Sequence, residues 1–390
     1  MRPDPRPRLR RPWRSMSTGP VLTAVLPGVL AAVLVAGLTA CGSSPSAASS
    51  SAPAVSAAAT AVSAVSASAG AAADHRAVVI VSGGDAVSPF TTPTQACTTG
   101  LAAGNTDTSL RAALLADGQQ VYTAPAMNAR SAVIEPDPTS FGAFGDCPAP
   151  LPAFMTILSN GDIDNGGEHL AHFVNYLHDT EGVTEIDWVG HSNGGLWARA
   201  ATRILRDTGS PVRVGSLTTV GTPWEGAVPF RIVFGELPES TCLDNSVCLN
   251  LVAVMREEAK GDLGLGRQQL ASYLLGDGGW NAAQLGVLDT IPVHLIGGGY
   301  LTEPAGDPQI WPFDGLVSQY SATAQGLPEQ TAPLRTCSRY PLTHSIYISH
   351  ELGLDWQTAL TWNDDVMADV TGFVRSVQQG GPPTGEPCTS

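Results

Sequence analysis

One stretch limits the fold of this chain more than any other: Asp187-Trp188-Val189-Gly190-His191-Ser192-Asn193-Gly194-Gly195. Ile186, Trp188 and Val189 favour extended backbone, and Leu196-Trp197-Ala198-Arg199-Ala200-Ala201 opens a helical pattern. The stretch therefore reads as a buried strand, a sharp turn and a helix start. Gly190-x-Ser192-x-Gly194 gives the turn its chemistry. Side chains two residues either side of Ser192 would collide in so tight a bend, and glycine removes them. The serine hydroxyl then stands clear at the end of the strand, facing the N–H groups that open the helix. In a chain with 42 glycines the spacing alone says little. The strand–turn–helix context makes it informative.

Around this turn the chain alternates between strands and helices. Short apolar strands are expected at 77–81, 120–123, 184–189, 213–220 and 291–296, with a further possible one at 155–158. Helices are expected at 109–115, 168–177 and 364–377. Over 168–177, Leu170, Phe173, Val174 and Leu177 recur at helical spacing. Such alternation predicts an α/β fold, a mostly parallel sheet with helices on both faces. Residues 124–165 read as loop-rich. Residues 224–290 read as an irregular, partly helical insertion, either a lid over a pocket or a packing subdomain.

The N-terminus reads differently. Six arginines and one acid lie in the first 40 residues, and residues 21–40 are apolar and uncharged, the pattern of an export signal (1–40). Leu38-Thr39-Ala40-Cys41 resembles a bacterial lipobox, which implies cleavage before Cys41, lipidation of that cysteine and a membrane anchor without a spanning helix. Residues 41–73 are Ser/Ala-rich and expected to be a disordered tether. The folded domain is expected at 74–380, with a polar tail at 381–390. Beyond residue 40 the chain carries 14 basic and 34 acidic residues. That balance leaves no basic surface for nucleic acid.

Besides Cys41 there are six cysteines, an even set that suits disulfides in an exported protein. Six allow 15 connectivities. Pairing of neighbours is expected: Cys97–Cys147, Cys242–Cys248 and Cys337–Cys388. No Cys/His cluster has zinc spacing. Asp162, Asp164 and Asn165 suggest a calcium loop but lack its closing glutamate, so a polar turn before the helix at 168 is expected. His169, His172 and His178 are expected at the surface of that helix, and Gly297-Gly298-Gly299 in a turn.

A serine needs a base, and the base needs an orienting acid. Three segments here resemble the lipase-like α/β-hydrolases, the bacterial triacylglycerol lipases and esterases: Gly190 to Gly195, Gly221-Thr222-Pro223-x-x-Gly226, and Phe313-Asp314-Gly315-Leu316-Val317. The resemblance implies an α/β-hydrolase fold and hydrolysis of a small-molecule or lipid ester without a cofactor. It casts Ser192 as nucleophile and Asp314 as acid. The base is His344 or His350, with chain order and loop context favouring His344. The oxyanion hole would use the Asn193 N–H and one from Ser82-Gly83-Gly84-Asp85, given by Gly84 or Asp85. That loop lacks the histidine of many relatives. Thioester hydrolysis, envelope acyl transfer and a non-catalytic binding module remain alternatives on the same fold.

Overall fold

In the first strand, β1 (Arg76–Val81), alternate residues serve two different cores. Ala77, Val79 and Val81 belong to one buried cluster, and Val78 and Ile80 to another. A strand with both faces covered needs apolar residues at every position, and Ala77-Val78-Val79-Ile80-Val81 supplies them. These observations come from a computed structural model, which describes residues 75–128, 144–261, 264–382 and 384–388. The export signal, Cys41, the tether and residues 129–143 lie outside the described residues.

In chain order β1 is followed by α1 (Thr108–Ala116), β2 (Val121–Thr123), β3 (Ala126–Met127), β4 (Ile157–Leu158), α2 (Ile163–Glu181), β5 (Glu185–His191), α3 (Gly194–Thr208) and β6 (Arg213–Val220). The insertion contributes α4 (Val228–Val233), α5 (Ser246–Glu258), α6 (Leu265–Gln268) and α7 (Ala271–Leu274). Then come β7 (Val293–Gly298), α8 (Gln319–Ala322), β8 (Arg335–Tyr340), α9 (Ile346–Glu351), α10 (Asp364–Gln378) and β9 (Glu386–Pro387). The main sheet has the order β2-β1-β5-β6-β7-β8-β9. Its strands run parallel up to β8, and β9 pairs antiparallel at the edge. Residues of α2 and α3 cover one face and those of α1 and α10 the other. With the strand–turn–helix of Ser192 on the interior strand β5, this is the α/β-hydrolase architecture.

Several elements differ from expectation. Helix α2 begins at Ile163, not at 168, so Asp164 and Asn165 are helical and Asp162 is the N-cap. Gly166 and Gly167 fall inside this helix, where they serve packing. A Cβ on Gly166 would lie 2.5 Å from Trp197 Cδ1, and one on Gly167 would lie 2.4 Å from the Ala200 Cβ. Their absence lets α2 approach α3 closely. Asp162 accepts from Gln268 Nε2 at 2.7 Å, and Asp164 pairs with Arg203 at 2.9 Å. His169 is half-buried, its Nδ1 2.7 Å from the Thr156 carbonyl. Gly297 and Gly298 end strand β7 and form no turn. A Cβ on Gly298 would meet the Asp314 Cβ at 2.7 Å. Strand β8 had no clear signal, because Arg335-Thr336-Cys337-Ser338-Arg339-Tyr340 lacks an apolar run. Cys97–Cys147, Cys242–Cys248 and Cys337–Cys388 are joined as disulfides.

The insertion is two bodies. Leu265, Leu274, Trp280, Val287 and Leu288 join the main core with α2 and α3. Val228, Ile232, Leu251 and Val252 instead form a separate cluster with Leu301, Trp311, Phe313 and Ile348. This second part, carrying α4 and α5, packs against Phe313 in the loop of Asp314.

Candidate active site

Ser192 sits between β5 and α3 with φ of 52°, a left-handed conformation costly for a non-glycine residue. Several contacts hold it there. Its N–H donates to the Val220 carbonyl at 2.8 Å, and its own carbonyl accepts from Thr222 Oγ1 at 2.7 Å. A Cβ on Gly190 would stand 2.6 Å from the Gly195 nitrogen, and one on Gly194 would stand 2.1 Å from the Val81 carbonyl. Glycine at both positions is therefore a steric requirement.

Asp314 and His344 meet across 30 residues of sequence. The His344 Nδ1 lies 2.8 Å from Asp314 Oδ2, with both side chains buried. The carboxylate is fixed from its other side, where Oδ1 accepts the N–H groups of Leu316 at 2.9 Å and Val317 at 2.7 Å. The His344 N–H donates to the Asp314 carbonyl at 2.8 Å. A carboxylate on Nδ1 keeps the proton there and leaves the lone pair on Nε2. That Nε2 is buried and has no hydrogen-bond partner. The ring packs over Gly221, where a Cβ would come within 3.0 Å of His344 Nδ1. Gly221 directly follows Val220, the residue that holds the Ser192 backbone. The other histidine, His350, is exposed on α9.

His191, which fills a variable position of the glycine–serine motif, belongs to this cluster. Its Nε2 lies 3.1 Å from the His344 carbonyl, and the two rings are 4.8 Å apart. A carbonyl only accepts, so Nε2 carries the proton. Burial, with the nearby His344, holds the ring well below the usual histidine range, against the opposing effect of that hydrogen bond. His191 is therefore neutral and ties the backbone of His344 to the elbow. Nothing in the sequence signals this, since the partner is 153 residues away.

The loop after β1 closes the opposite side. A Cβ on Gly83 would stand 2.6 Å from the Ser192 Cβ, and one on Gly84 would stand 2.8 Å from Asn193 Nδ2. The Asp85 N–H is engaged with the Ser159 carbonyl at 3.0 Å. Of the two alternatives in this loop, Gly84 thus lies against Asn193 while Asp85 has its donor occupied. Among the described residues, no group of three or more His, Cys, Asp or Glu side chains is placed to hold a metal ion.

No family model matches the chain. A 78-residue stretch is 33% identical to a triacylglycerol lipase of Pseudarthrobacter phenanthrenivorans, covering 19% of this chain and 23% of that protein. A stretch of the same length is 33% identical to a triacylglycerol lipase of Burkholderia plantarii, covering 20% of it. The matched stretch thus spans about a fifth of the length of these curated relatives. Among solved structures, the mature form of the Bacillus licheniformis lipase BlEst2 is similar, with a TM-score of 0.42 and 11% identity over 78% of this chain and 92% of that one.

Proposed function

We propose that this protein is a serine hydrolase of carboxylic esters. The observation that carries the reading is the buried Asp314–His344 pair, whose histidine packs on Gly221 and His191 beside Ser192 and has no hydrogen-bond partner on Nε2. In this reading Ser192 Oγ attacks the acyl carbon while His344 Nε2 takes its proton. The developing oxyanion accepts the N–H groups of Asn193 and Gly84. Collapse expels the alcohol, protonated by His344, and leaves an acyl-enzyme. Water then attacks the acyl carbon, His344 removes its proton, and the acid departs with Ser192 restored. Asp314 keeps the ring in one tautomer and stabilises the imidazolium.

The 33% identity to triacylglycerol lipases over 78 residues supports an ester as substrate. The part of the insertion carrying α4 and α5 is the candidate lid, because its apolar residues pack over the Asp314 loop and α9. Export and lipid anchoring at Cys41 complete the proposal and rest on the leader sequence alone.

Ser192→Ala is expected to abolish hydrolysis of p-nitrophenyl esters and labelling by a fluorophosphonate probe, with Tm preserved. Full activity in that variant would sink the assignment. A folded wild type that never labels would point instead to a binding module.

A further inference from the structure

Arg199 lies one helical turn beyond Gly195 on α3 and is wholly buried. Its guanidinium lies over the rings of two indoles. The carbon Cζ is 3.9 Å from the centre of the Trp224 ring and 4.8 Å from that of Trp280. A guanidinium carries five N–H groups, each of which ordinarily finds an acceptor when buried. None of them does: Nε and both terminal nitrogens are buried without a partner, and no carboxylate among the described residues pairs with this charge.

The surroundings repeat the pattern. Gln269 and Gln284 are wholly buried, and both polar atoms of each amide are unpartnered. Asn281 donates to the Trp224 carbonyl at 2.8 Å, and its Oδ1 is unpartnered. Two of these amides, Asn281 and Gln284, sit on the segment that carries Trp280. Asn281 follows Trp280, Gln284 ends the turn 282–284 that packs on α3, and the Gln269 carbonyl accepts the Ala227 N–H at 3.1 Å. A buried cation without a partner is costly, and buried charges are ordinarily paired. Water could occupy the N–H groups but would leave the charge.

We propose that Arg199, buried over the rings of Trp224 and Trp280, is the seat of an enclosed site for one small monovalent anion, of which chloride is the simplest. The anion accepts hydrogen bonds from the unpartnered guanidinium N–H groups. Its position joins α3, the helix that follows Ser192, to the core-packed half of the insertion. Burial lowers the Arg199 pKa only to about 9, so the guanidinium is still charged at neutral pH.

The test exchanges chloride for gluconate at constant pH and ionic strength, using the full chain in a mild non-ionic detergent. Chloride is expected to raise Tm by a few degrees, saturably. Iodide is expected to quench a saturable fraction of the tryptophan emission, and chloride to reverse it. In Arg199→Met both responses should vanish, with Tm in gluconate at or above that of the wild type. Identical wild-type Tm in the two salts, with only linear quenching, would overturn the proposal, as would an undiminished response in Arg199→Met. The wild-type titration decides the matter even if that variant fails to fold.

Discussion

The left-handed φ of Ser192 is the residue-scale device on which the site depends. Alanine-like side chains are excluded at 190 and 194 by contacts under 3 Å, and Thr222 and Val220 pin the serine's backbone from either side. The two candidate bases separate at the same scale, because His344 lies against a fixed carboxylate while His350 is exposed. His344→Ala is expected to lower kcat by about 10⁴–10⁶-fold, and His350→Ala to leave it within about threefold. Ester kinetics on the two variants check this, and the opposite ranking would reverse the assignment. A second residue gives a prediction about pH. Burial pushes the Asp107 carboxyl up to about 7, against hydrogen bonds from Thr106, Ser88 and Ser82. The folded state therefore holds a proton more tightly than the unfolded state. This group favours folding below pH 4, and its contribution falls as pH rises toward 7. Asp107→Asn removes that dependence. The Tm of the variant relative to wild type should increase from pH 4 to pH 8, and a constant difference would count against it.

Among the elements, α2 and α3 show how the elbow is supported. Glycine inside a helix normally costs about 1 kcal/mol relative to alanine. At Gly167 the sign is expected to reverse, because the added Cβ would fall 2.4 Å from that of Ala200. Gly167→Ala should therefore destabilise the protein by about 1–3 kcal/mol, the range for overpacking, as measured by urea denaturation. A gain in stability would mean that the helices can move apart freely. The apolar periodicity of α2 marked its buried face correctly. It could not mark the start, since Gly166-Gly167 looks like a break until the neighbouring helix is present. Strand β8 escaped for a related reason. Its residues are largely polar, and pairing with β7 on one side and β9 on the other defines it.

For the whole molecule, the insertion has two fates. One half is core, sealed around Trp280, while the half with α4 and α5 is a satellite cluster over the Asp314 loop. The chain ends by returning to the sheet, where Cys337–Cys388 fastens β9 beside β8. The proposed anchor is tested at this scale. In a bacterial host, Cys41→Ala should move the protein from the detergent phase to the aqueous phase on phase partition and remove lipid mass from its N-terminal peptide. An unchanged partition would exclude Cys41 as the anchor.

Local chemistry was enough to specify part of this protein. Glycines around Ser192 and apolar runs at alternating spacing act largely through neighbours a few residues apart, so the elbow, most strands and the layered α/β plan were legible. The resemblance of Asp314-Gly315-Leu316-Val317 to lipase segments named the acid. Tertiary structure alone decided which histidine meets it, that His191 braces that histidine, that two glycines belong inside a helix and that Arg199 is buried without a partner. Each of these depends on contacts between residues far apart in sequence, and such distances leave no pattern along the chain.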